Sequence, residues 1–132
     1  MSVKGLSPWL HRAALLALCA AYLQGGLVKA LDFPGAVAEM AHFGLQPAAP
    51  LAAATIALEL GASALVISGR WRWLGALALA AFTAAATLLA NRYWETAGHE
   101  RFMQMNAFYE HIGLIGGLAL VALQDLNERR HA

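Results

Sequence analysis

Apolar residues fill four long stretches of this chain, and its polar residues fall into short clusters between them instead of marking one wet face of each helix. The stretches cover about residues 9–31, 51–68, 71–90 and 103–123, and each matches the ~20 residues that cross a ~30 Å hydrocarbon core. Local signals support these limits. Ser7 and Pro8 form a helix start ahead of the first run. Pro47 and Pro50 precede the second, and Gly69 suits its end. Trp71 and Trp73 flank the third on one side and Tyr93 and Trp94 on the other, the two aromatic belts of a membrane span. The fourth is polar at Gln104, Asn106, Glu110 and His111, then apolar over residues 113–123. The first run is too long for a signal-peptide core and lacks a clear small-x-small cleavage site, so it reads as a span.

The segment between the first two runs is too short to cross. Phe33, Val37, Met40 and Gly44 share one helical face, with Glu39 and His42 off it, which predicts an interfacial helix over residues 34–44. Residues 95–101 form the connection between the third and fourth spans. The expectation is an all-α fold, a four-transmembrane-helix bundle with a short interfacial helix between helices 1 and 2, in a single integral membrane domain over residues 1–132. Gly113 with Gly117, and Ala57 with Gly61, have the spacing of small-residue helix contacts.

Composition agrees with lipid as the solvent: 60% of residues are hydrophobic and 13% charged, against about a quarter charged in soluble domains. The net charge of +1 and the scattered basic residues give no footprint for nucleic acid. Cys19 is the single cysteine, which excludes an internal disulfide or a Cys-x-x-Cys metal or redox motif. No haem-attachment, phosphate-loop or zinc-protease motif occurs, so neither a covalently bound cofactor nor a metal site is expected. Counting cations by side puts Lys4, Arg12, Arg70, Arg72, Arg129 and Arg130 with the termini and Lys29, Arg92 and Arg101 opposite. The positive-inside rule then predicts that both termini are cytoplasmic.

The chemistry rests on ionisable residues inside the spans, where a charge is costly and needs a partner. Glu59 and Glu110 fall at similar depth, roughly 10–12 Å below the far interface at 1.5 Å per residue. Lys29 and Arg92 lie nearer that interface and have stems long enough to reach them, and Asn91, Asn106 and His111 add donors and acceptors. These seven residues form the candidate polar pocket, centred on Lys29, Glu59, Glu110 and His111. Such a pocket suits the head of a lipid-soluble ligand, with a quinone as the natural candidate because His and Glu hydrogen-bond its carbonyls and exchange protons. An ion-pair network that fixes helix docking fits the same residues.

Several segments resemble the DoxX family. They are Tyr22 through Lys29, Leu58-Glu59-Leu-Gly with Gly69-Arg-Trp-Arg72, Phe82 onward to Arg92-Tyr-Trp-Glu95, and Gln104 with Phe108 through Gly116-Gly117. The chain departs from many members at Glu110-His111, where they carry Lys-Asn. The resemblance implies a small four-helix protein of the bacterial cytoplasmic membrane, in some cases the membrane subunit of a quinone-linked oxidoreductase. A partner subunit or a homo-oligomer follows from that reading. A non-catalytic scaffold and a small proton or solute carrier are the alternatives.

Overall fold

The computed structural model describes residues 7–131. Lys4, counted above with the cations of the terminal side, lies outside them. Helix α1 spans Pro8–Leu31, α2 Phe33–His42, α3 Ala48–Ser68, α4 Arg72–Ala90 and α5 Gly98–Arg130, with one 3₁₀ turn at Tyr93–Glu95. No strand occurs among the described residues. Helices α1, α3, α4 and α5 are long and apolar enough to cross a membrane, and α2 is the short helix between the first two spans.

The helix limits differ from the apolar runs in instructive ways. α5 has 33 residues, about 50 Å at 1.5 Å per residue and well beyond a ~30 Å core. Hydropathy marks where lipid ends, whereas the backbone ladder continues through polar residues, so α5 starts at Gly98 and the connection is residues 91–97 instead of 95–101. α3 begins at Ala48, ahead of Pro50, because proline in a first turn forfeits only an N–H that has no helical acceptor. α2 is capped by Asp32, whose side chain accepts from the Gly35 N–H at 3.1 Å.

α1 packs on α3, α3 on α4 and α4 on α5, while α1 and α5 touch sparsely, and α2 lies against α3. Both ends of the described chain therefore emerge at one end of the bundle, and α2 with the α4–α5 connection occupies the other. The dry core sits toward the terminal end, where Leu15, Cys19, Val66, Leu79 and Leu118 are buried.

Close helix approach depends on glycines other than those expected. A Cβ at Gly75 would lie 2.6 Å from the Ala62 carbonyl oxygen, so glycine there lets α4 meet α3. Gly61 and Gly113 face open space, Ala57 is exposed, and Gly117 meets only Leu18 at ordinary contact distance. The spacing identified residues that share a face, but not the face turned toward a neighbour.

The α3–α4 turn is short. Gly69 ends α3 at φ 87°, a left-handed conformation that glycine adopts freely, and Trp71 follows at φ 57°. α5 closes over this turn: buried Asp125 accepts from the Trp73 N–H at 3.0 Å and from Arg129 Nε at 2.9 Å, and Arg129 Nη2 donates to the Gly69 carbonyl at 3.3 Å. Arg72 Nε donates to the Val66 carbonyl at 2.7 Å. Asp125 thus supplies a cap that Trp71, at the N-cap, does not provide itself.

Candidate functional site

Antiparallel packing of α1 on α3 brings Lys29, in the last turn of α1, beside Glu59, near the middle of α3. Lys29 Nζ donates to Glu59 Oε1 at 2.6 Å, with side chains 19% and 5% exposed. One turn before Lys29, Gly25 makes room for the carboxylate: a Cβ there would come within 2.8 Å of Glu59 Oε2. Gly26 plays the same part for Leu60.

A second set of polar groups lies between α4 and its neighbours. Tyr22 and Thr83 place their hydroxyl oxygens 2.5 Å apart. Thr83 Oγ1 donates to the Leu79 carbonyl and Thr87 Oγ1 to the Thr83 carbonyl, both at 2.6 Å. Thr87 Oγ1 also lies 2.9 Å from His111 Nδ1 on α5. Threonines spaced by four stack on one helix face and bond back to the preceding turn, so the hydroxyls of this alanine-rich helix project toward α1 and α5.

These two sets border one cavity of about 480 Å³, within the usual range of small-molecule sites. Tyr22, Gly25 and Lys29 of α1 and Thr55 and Glu59 of α3 form one side. Thr83 and Thr87 of α4 and His111 and Leu114 of α5 form another. α2 contributes Glu39 and Met40, and Phe43 just beyond its end adds to the same wall. Most of the remaining wall is Ala and Leu.

Of the seven residues expected in the pocket, Lys29, Glu59 and His111 line this cavity together. Asn91 caps α4 and donates from Nδ2 to Gln104 Oε1 at 2.6 Å, joining α4 to α5 beyond the cavity wall. Arg92 is exposed and pairs with Glu95 at 3.5 Å. Asn106 and Glu110 are exposed and do not line the cavity. The helical period explains this: successive residues are about 100° apart, so a helix that turns His111 toward Thr87 turns Glu110 away, with Asn106 one turn before it. Depth was the basis for grouping Glu110 with Glu59, and depth carries no rotation. Sequence reasoning missed Tyr22, Gly25, Thr55, Thr83 and Thr87. The repeat of Thr83 and Thr87 at i, i+4 was the available signal.

Among the described residues, no group of three or more His, Cys, Asp or Glu side chains is placed to hold a metal ion. The cavity walls instead provide hydrogen bonds, one ammonium and carboxylates.

Four membrane-crossing helices enclosing this cavity define a small multi-pass membrane protein. The DoxX family profile matches residues 13–92, well over half of the 132, and the chain belongs to the DoxX family. The match takes in Lys29, Glu59, Thr83 and Thr87 and ends before α5, so His111 lies outside it. No curated protein and no solved structure matches the chain.

Proposed function

We propose that this protein is the membrane subunit of an oxidoreductase assembly and that its cavity receives the ring of a quinone whose tail stays in the bilayer. The observation that carries this reading is the Lys29–Glu59 pair, held inside membrane helices on the wall of a 480 Å³ cavity with His111 on another part of that wall. The pair borders open space instead of being enclosed by protein on every side, which leaves it within reach of a ligand. In this role the chain binds and orients the ring, and a partner subunit supplies the electrons. The termini face the cytoplasm of a bacterial cell, a placement supported by Arg12, Arg70, Arg72, Arg129 and Arg130 at the terminal end of the bundle.

Purification in mild detergent, followed by identification of co-eluting proteins and extracted isoprenoid quinones, tests the assembly and the ligand together. Both should be recovered, and Lys29→Met should lower the quinone content of protein that remains folded. Recovery of a lone chain free of quinone would overturn the proposal and favour a scaffold or carrier.

A further inference from the structure

The hydrogen-bond directions around Thr87 fix the proton of a neighbouring ring. Thr87 Oγ1 has one hydrogen, and the Thr83 carbonyl 2.6 Å away takes it, since a carbonyl only accepts. The approach of His111 Nδ1 to the same oxygen at 2.9 Å then requires Nδ1 to be the donor. A neutral His111 therefore carries its proton on Nδ1 and leaves the Nε2 lone pair free, with no hydrogen-bond partner for Nε2 among the described residues. The other hydroxyls on the wall are committed in the same way. Thr55 donates to the Leu51 carbonyl at 2.9 Å, and Thr83, which donates to Leu79, must accept from Tyr22. What these groups still offer is lone pairs. Glu59 Oε2 and the Glu39 carboxylate add more, and Lys29 Nζ, already donating one proton to Glu59, is the main remaining donor.

A wall so rich in acceptors matches a ligand that brings hydrogen atoms. Building on the quinone reading above, we infer that the cavity selects the reduced, dihydroxy form of the ring over the oxidised form, with one ring hydroxyl donating to His111 Nε2. A quinone has two carbonyl acceptors, and only the one beside Lys29 finds a partner; the other faces the unprotonated nitrogen. A hydroquinone donates at His111, and its second oxygen both accepts from Lys29 and donates to a carboxylate.

The test uses the full chain in lipid nanodiscs under anaerobic conditions, at mildly alkaline pH. The probes are a short-tailed benzoquinone, its hydroquinone and the dimethyl ether of that hydroquinone. The hydroquinone should bind at least about tenfold tighter than either of the others, the value of one well-formed hydrogen bond. Thr87→Val, checked for folding by its melting temperature, frees the ring to exchange tautomers and should shrink that preference toward parity. ¹⁵N spectra of histidine-labelled protein, assigned with His111→Gln, should show His111 protonated at Nδ1. Equal or tighter binding of the quinone, full binding of the ether, or a proton on Nε2 would overturn the inference and leave the proposed function standing. Binding of none of the three would remove both.

Discussion

The two ends of this bundle treat a buried carboxylate in opposite ways. At the terminal end, Asp125 accepts from a backbone N–H and from Arg129 Nε and lies against a tightly packed turn. Toward the other end, Glu59 has one hydrogen-bond partner among the described residues, and its second oxygen faces the Gly25 side of an open cavity. A carboxylate pinned by a backbone N–H and a guanidinium belongs to the architecture; one held by a single side chain beside a void is free to meet something else. Position in the sequence does not separate the two cases, and hydrogen-bond occupancy does.

The largest effect that would break this contrast is expected at Glu59. Glu59→Ala strands the Lys29 ammonium among apolar helices and should lower stability in detergent by about 3 kcal/mol, the scale for orphaning a buried charge. The double change Lys29→Met, Glu59→Leu should recover most of that loss in a denaturation series while abolishing ligand retention, which would separate the pair's binding role from its packing role. If the double variant stays as unstable as the single one, the pair is structural after all.

Next comes Gly75→Val, which forces a side chain against the Ala62 carbonyl and should cost about 2 kcal/mol by overpacking, read as a lower melting temperature. Asp125→Asn keeps the shape of the cap but removes its charge. Melting curves should register about 1 kcal/mol, with ligand affinity unchanged, and any change in affinity would mean that the two ends are coupled. The smallest effect is expected for Glu110→Gln, a group off the cavity wall. Stability should move by less than about 0.5 kcal/mol and ligand binding not at all; a marked loss of binding would put Glu110 back in the site.

Much of this fold is legible in the sequence because lipid imposes a coarse and strict pattern: runs of about twenty apolar residues, aromatic edges and glycine or proline at the turns. The same strictness makes Lys29 and Glu59 conspicuous. The rotation of each helix about its axis is far harder to read. A soluble helix shows its buried face by polarity, but here lipid-facing and protein-facing positions are both apolar, as exposed Leu120 and buried Leu118 on one helix illustrate. Depth alone therefore sets Glu110 beside Glu59, and small-residue spacing marks Gly113 on α5, whereas the close backbone approach is at Gly75 between α4 and α3. Thr83 and Thr87 escaped notice because a hydroxyl that bonds its own helix barely disturbs hydropathy, although it sets the chemistry of the wall.

The clamp that α5 places on the α3–α4 turn also orders biogenesis. As the chain leaves the ribosome, the hairpin with Gly69 at its bend is complete dozens of residues before Asp125 exists, and until then the Trp73 N–H must be satisfied by interfacial water. α5, synthesised after the other four helices, brings both that cap and the imidazole of the cavity wall. A nascent chain arrested before α5 would therefore hold three inserted spans with neither a fastened hairpin nor a finished binding chamber, and docking of α5 completes both at once.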